Sequence, residues 1–260
     1  MINSSEQYLD EQYLDALGAT QSLTAEQAAE LETRGYVIIH NVIDKDWLED
    51  MRVTFDALVE KEGDNLAVEH HQEATATRIA NMINKGTVWE KVWSHPLILS
   101  VCRHIFRGAF KVSSLNGREA LHRGGHQPLH ADWKKPRPDF PKVHLVNSIW
   151  AIDDLSAANG APRIIPGTHH RPELPEDVLA DVGLPHPDEV VFEAPAGSVM
   201  IYDAHAWHGG TNNTVGTRRR VLHSLYIDRE DAQQQDQRKW LKPETASRLT
   251  PAQKWLLDVV

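Results

Sequence analysis

Cysteine is almost missing from this chain of 260 residues, in which Cys102 stands alone. An intramolecular disulfide is thereby excluded, and so are thiolate ligand sets for a metal. Such usage fits a reducing compartment, and a cytoplasmic location is the expectation. Long apolar runs are lacking too. No stretch approaches the roughly 18 residues of a membrane helix, so no membrane partner is expected. Met1 to Glu6 carry no basic patch followed by an apolar core, and no secretory leader is read there. Positive charge is scarce: 27 Lys and Arg against 37 Asp and Glu give a net charge of −10. A nucleic-acid surface is not expected at that balance. A small-molecule substrate remains the expected partner, because the field inside a site can differ from the global sum.

Histidine is what the chain has in excess, with 15 residues. A transition metal here would be held by nitrogen and oxygen, which points to iron, manganese or zinc beside carboxylates. The length suits one domain over residues 1–260, as a monomer or homodimer. Within it, residues 1–22 read as an N-terminal extension that carries the same pentapeptide twice, at 6–10 and 11–15. One short duplication is not a repeat architecture. Residues 23–108 read as mostly helical. Thr24 and Gln27 have capping-box spacing, Gly35 is a helix stop, and Tyr36–Ile39 reads as a short buried strand. Asp44 can cap a second helix, with Leu48, Met51, Phe55, Leu58 and Val59 on one apolar face. A further helix is predicted over about 96–106.

Residues 109–230 change character. Short β-type runs at 109–115, 143–152, 163–165, 190–192, 198–202 and 219–227 are separated by Gly, Pro and Asn, as in a sandwich or barrel. Residues 231–260 turn helical again, with Thr250-Pro251 as a start signal. The fold class is therefore mainly β with flanking helices.

The densest chemistry lies at Gln127-Pro128-Leu129-His130-Ala131-Asp132-Trp133. On an extended strand, residues i and i+2 share a face, so His130 and Asp132 can meet one metal. Far downstream stand His205 and His208. They are three apart and would face opposite sides of a strand; His208, followed by Gly209-Gly210, is the better third ligand. Two histidines and one carboxylate on one face of a metal leave positions open for cosubstrate and oxygen, as in non-haem iron(II) oxygenases. Arg219 opens the last β-run, and a buried arginine there can clamp a carboxylate with two parallel hydrogen bonds.

His130-x-Asp132, the segment Asn159-Gly160-Ala161-Pro162-Arg163 through Pro166-Gly167-Thr168-His169, and His208-Gly209-Gly210 with Asn213 and Arg219 resemble the phytanoyl-CoA dioxygenase family. The resemblance runs from about Leu23 to Asp258. It implies a double-stranded β-helix core (jelly-roll, cupin-like) and an enzyme that uses Fe(II), 2-oxoglutarate and O2, releasing succinate and CO2. It implies His130, Asp132 and His208 as catalytic metal ligands and Arg219 as the partner of the distal carboxylate of 2-oxoglutarate. Gln127 and Trp150 match positions lining the cosubstrate pocket, with Asn116 a further candidate. In related halogenases the position of Asp132 is Ala or Gly, so a carboxylate favours hydroxylation. Desaturation, cyclisation or epimerisation at the same iron are alternatives, as is a non-catalytic cupin-like binding module or a zinc hydrolase.

Other residues carry plainer expectations. His122, His126 and His144 read as solvated or hydrogen-bonded, and His205 as a surface or supporting histidine. Trp133 and Trp207 read as core or as contacts to substrate or cosubstrate. Lys134, Lys135 and Arg137 read as a solvated loop, or as a basic lid over an anionic substrate.

Overall fold

The computed structural model describes residues 4–69, 71–135, 137 and 139–260. Helix α1 (Ser4–Ala16) spans both copies of the pentapeptide. Helix α2 (Ala25–Arg34) opens on the full capping box: Thr24 Oγ1 accepts from the Gln27 N–H, and Gln27 Oε1 accepts from the Thr24 N–H. It ends at Gly35, whose φ of +81° is a left-handed conformation that favours glycine. Strand β1 (Tyr36–Ile39) follows, and Asp44 caps α3 (Lys45–Glu62), which buries Leu48, Met51, Phe55 and Leu58. Strand β2 (Ala76–Ile79), short helix α4 (Glu90–Trp93) and α5 (Pro96–Phe106) complete the first half.

The β-core contains β3 (Phe110–Ala120), β4 (Leu145–Ala151), β5 (Pro162–Ile164), β6 (Val190–Val191), β7 (Val199–Asp203), β8 (His208–Gly210) and β9 (Arg220–Asp228). Between β5 and β6 lies one turn of helix, α6 (Pro175–Val178). Among the described residues a six-stranded antiparallel sheet has the order β1-β7-β4-β9-β3-β2, and a smaller one the order β6-β5-β8. Residues of both sheets line one cavity, in a jelly-roll core flanked by helices. The tail forms three short helices, α7 (Gln237–Trp240), α8 (Pro243–Ala246) and α9 (Pro251–Leu256), the last capped by Thr250. No described helix is long and apolar enough to cross a membrane.

Strands β1, β4, β7 and β9 of the large sheet sort their side chains by alternation, while β3 breaks it at a bulge between Val112 and Ser114. Val37, Val146, Trp150, Val199, Ile201, Leu222 and Tyr226 join the core shared with α3 and α5. Tyr36, Leu145, Ile149, Met200, Tyr202, Val221 and Leu225 join a second core on the opposite face. The central strands β4 and β7 are thus buried on both faces, which explains why β4 reads as an unbroken buried run. Two strands escaped the sequence reading. Strand β2 has a mixed Ala-Thr-Arg-Ile pattern, and β8 is three residues containing two glycines; neither carries a β-propensity signal.

Candidate metal centre and cosubstrate cavity

His130 and His208 are brought together by the backbone. Each N–H donates to the other's carbonyl at 2.9 Å, forming a closely bonded antiparallel pair. Residues paired this way project side chains to the same face, and the two imidazole centroids lie 4.4 Å apart. Asp132 follows two residues on, its N–H donating to the Ala204 carbonyl at 3.0 Å. Its carboxylate lies 3.8 Å from His130 Nε2 and 3.5 Å from His208 Nε2. The three ligand atoms all fall within 4.8 Å of one another. Gly209 and Gly210 permit this approach: a Cβ on Gly209 would stand 2.7 Å from the Gln127 carbonyl oxygen, and one on Gly210 would overlap that of Gly125.

The donor set is oriented for a cation. His130 Nδ1 lies 2.9 Å from the Pro128 carbonyl and His208 Nδ1 2.9 Å from that of Ala206. A carbonyl only accepts, so both Nδ1 atoms carry a proton and both Nε2 atoms face the same point; burial lowers the pKa of His208 but Asp132 outweighs it, so a metal bound there would take the place of the His208 Nε2 proton. Burial, with His208 alongside, lowers the pKa of His130 to about 4 and keeps it neutral. Burial pushes Asp132 the other way, but His208, His130 and a hydrogen bond from Asn147 outweigh it and hold the carboxylate ionised. These residues fit a divalent metal with open coordination positions.

Two supporting residues were not singled out from the sequence. Asn147 Nδ2 donates to Asp132 Oδ2 at 3.0 Å and to Tyr202 Oη at 2.8 Å. Tyr202 Oη lies 3.3 Å from Asp132 Oδ2 and 3.1 Å from His208 Nε2. Residues that orient a metal ligand typically govern affinity by about 10- to 100-fold. Asn147→Ala is therefore expected to weaken iron binding by about tenfold or more while leaving the fold intact. A competitive chelator titration checks this, and an unchanged affinity would remove Asn147 from the account.

Arg219 lies at the same cavity, 1% exposed, with neither Nε nor Nη1 hydrogen-bonded within the protein. Its neighbours explain its direction. Arg218 pairs with Glu119 and Asp56, and Arg220 with Asp153 and Asp56, which commits both to the helix side of β9 and turns Arg219 inward. A buried, unpaired guanidinium is costly unless an anion meets it. The fork fits the distal carboxylate of a dicarboxylic acid.

Gln127 and Asn116 also line this cavity of about 270 Å³. Asn116 Nδ2 donates to Ser114 Oγ and to Gln234 Oε1, a tail residue that reaches back to the cavity wall. Trp150 does not line it, which corrects the expectation. Its neighbours in the alternation, Asn147 and Ile149, face the cavity, whereas Trp150 packs against Trp47 and His95 on the helix side and donates Nε1–H to Ser148 Oγ. Trp150→Ala should cost about 3–5 kcal/mol of stability. Thermal melting should show that loss while 2-oxoglutarate affinity stays unchanged; a selective loss of affinity would restore Trp150 to the pocket.

The remaining expectations resolve similarly. Trp133 stacks on His144 at 4.4 Å, and Trp207 donates to the Glu173 carbonyl; neither lines the cavity. His144 is held between Asp139 and Asp231. His205 is buried beside Trp133 and His144, away from the candidate ligands. Lys134 lines the cavity, Lys135 lies over the Trp133 ring, and Arg137 belongs to a separate cavity beside His169 and Asp203.

A model of the family described as phytanoyl-CoA dioxygenase (PhyH) matches residues 31–221. Dioxygenase andF of Emericella variicolor is 23% identical over 218 residues, 75% of this chain and 71% of that one. Dioxygenase af480 of Aspergillus fumigatus is 29% identical over 141 residues, 53% of this chain and 44% of its own, so the match spans under half of that relative. Among solved structures, the non-haem α-ketoglutarate-dependent carbocyclase SnoK from nogalamycin biosynthesis superposes with a TM-score of 0.67 at 20% identity, covering 89% of this chain and 92% of SnoK. HygX from Streptomyces hygroscopicus, with nickel, 2-oxoglutarate and hygromycin B bound, gives 0.66 at 14% identity, covering 81% and 90%.

Proposed function

The chain belongs to the phytanoyl-CoA dioxygenase family, and we propose that it is an iron(II)- and 2-oxoglutarate-dependent dioxygenase that hydroxylates a small molecule. The observation that carries this reading is a fully buried arginine with unpartnered guanidinium nitrogens in the cavity of an open His/Asp/His cluster. HygX, of the same fold, holds nickel and 2-oxoglutarate, and the donor set here suits the same pair.

His130, Asp132 and His208 would hold iron, and Arg219 would bind the distal carboxylate of 2-oxoglutarate. Gln127 and Asn116 would line the cosubstrate's place, over a floor that includes His223 and Ile149. When bound, iron and 2-oxoglutarate supply the oxidising chemistry, consuming O2 and releasing succinate and CO2 as the substrate is oxidised. The protein's own part is orientation. Carbonyl-locked imidazoles would present fixed lone pairs, and Asn147 and Tyr202 steady the carboxylate. Which substrate hydrogen faces the metal decides among hydroxylation, desaturation, ring closure and epimerisation; the retained carboxylate of Asp132 supports hydroxylation as the outcome. The reading takes the chain as one oxygenase domain, monomeric or homodimeric, acting in the cytoplasm.

The test is iron- and O2-dependent conversion of 2-oxoglutarate to succinate by the purified protein, with and without candidate substrates. Conversion that needs both iron and O2 supports the reading. Its absence from stoichiometrically iron-loaded protein across a broad substrate panel would count against it.

A further inference from the structure

The cavity is far more cationic than the chain that builds it. Across the β2–β3 pair, Arg78 stands directly opposite Arg118, and both line the cavity with Arg219. Like charges directly opposite on a sheet repel, and a single carboxylate answers them. Glu73 accepts from Arg118 Nε at 2.9 Å and from Arg78 Nη1. Burial opposes ionisation of Glu73, but Arg118 and Arg78 more than offset it, so it is a carboxylate. Arg118 Nη2 also donates to the Gly125 carbonyl, at 3.1 Å. Arg78 Nη1 also meets His71 Nε2 at 2.9 Å, and among the described residues the Nε and Nη2 side of that guanidinium makes no hydrogen bond.

A charge count then decides what the cavity lacks. Three guanidiniums face Glu73 and, on the reading above, one distal carboxylate of 2-oxoglutarate. One positive charge is left over at Arg78. At the metal, two positive charges meet Asp132 and the second cosubstrate carboxylate and balance. Lys134, which also lines the cavity and makes no ion pair among the described residues, adds another cation. His223, on the floor beneath, reports the same field: burial and then Arg78, Arg219 and Arg118 drive its pKa well down. All this sits in a chain of net charge −10, so the local excess is a property of the site.

We propose that the substrate is a small organic oxyanion whose carboxylate or phosphate group is held by Arg78, with Lys134 as a second cation. The proposal rests on the iron and 2-oxoglutarate reading and narrows it to a substrate class. Arg78 is the specificity-determining residue. Its planar fork recognises an oxyanion, while Glu73 and His71 fix its near edge and aim the free edge into the cavity. Acyl chains without an anionic group, and cationic amines, are disfavoured because they leave that fork desolvated and unpaired.

The experiment uses the full chain loaded with nickel, which blocks turnover, and with 2-oxoglutarate, whose binding is measured first by calorimetry. Inorganic phosphate is then titrated in, with tetramethylammonium as the cationic counterpart. Phosphate is expected to bind beside 2-oxoglutarate, about tenfold or more weakly in Arg78→Gln, and unchanged in Lys135→Gln, whose side chain lies over Trp133 outside the cavity. Tetramethylammonium should give no binding heat. Arg78→Lys, which keeps the charge and loses the fork, should fall between wild type and Arg78→Gln. Phosphate that does not bind, that binds Arg78→Gln as tightly as wild type, or that expels 2-oxoglutarate overturns the proposal. The wild-type titration decides even if a variant fails to fold. Failure of 2-oxoglutarate to bind in the first titration is a separate result, which removes the cosubstrate reading and this assignment with it.

Discussion

Arg219→Met is expected to stabilise the metal-free protein and to cripple cosubstrate binding at once. Without an anion, Arg219 is a buried charge whose Nε and Nη1 have no partner. Burial first, and Arg118 second, already lower its pKa, a sign that the charged form is disfavoured there. Replacing even paired buried charges with apolar side chains of similar volume is often neutral or stabilising, by up to about 4 kcal/mol, and for a chain of this size each kcal/mol moves the melting point by about 2–4 °C. The same change removes the fork that would meet the distal carboxylate. Truncating one partner of a buried charge pair costs about 2–5 kcal/mol, or roughly 30- to 5,000-fold in 2-oxoglutarate affinity. Melting curves and calorimetry on one pair of proteins read both effects. A less stable variant with unaltered 2-oxoglutarate affinity would make Arg219 a structural residue.

Asp132→Ala should abolish turnover and lower iron affinity by about a hundredfold or more, beyond what loss of a supporting residue costs. It should also destabilise the metal-free protein near neutral pH. The sign follows from the depressed pKa of Asp132: burial raises it, but His208, His130 and Asn147 prevail and favour the carboxylate in the folded state. A carboxyl group stabilised this way contributes fully above its unfolded value and loses that contribution as pH falls below the ordinary 3.8. The stability gap between wild type and Asp132→Ala should therefore narrow on acidification from about pH 5 to about pH 3. Denaturant melts across that range measure it. A gap that widens would mean that the carboxylate is a liability to the empty fold.

What the sequence disclosed, and what it hid, divides along sequence distance. His130 and Asp132 were legible because two-residue spacing on an extended segment is a local rule. The helix caps at Thr24, Asp44 and Thr250 were legible for the same reason. Trp150 was misplaced by parity. In a strand buried on both faces, hydrophobicity does not reveal which alternate set meets the cavity; only the register with β7 and β9 does. A shift of one residue would have picked Ile149, which lines the cavity. Glu73, Arg78 and Arg118 were invisible as a group because pairing of β2 with β3 creates their meeting. Tyr202 was hidden differently: it lies within an apolar strand, and only its hydroxyl contacts with Asp132 and His208 mark it. The core assignments of Trp133 and Trp207 needed the structure as well, since a tryptophan beside a proposed ligand reads equally as wall or as contact.

The most direct test of the central claim is an anaerobic titration of the purified protein with iron(II) and 2-oxoglutarate, followed by the visible charge-transfer absorption of a keto acid chelated to iron. The account expects a band that saturates at one iron and one 2-oxoglutarate per chain, disappears in His208→Ala and Asp132→Ala, and needs far more 2-oxoglutarate to form in Arg219→Met. Stoichiometric iron binding with no band, or a band indifferent to all three substitutions, would contradict it.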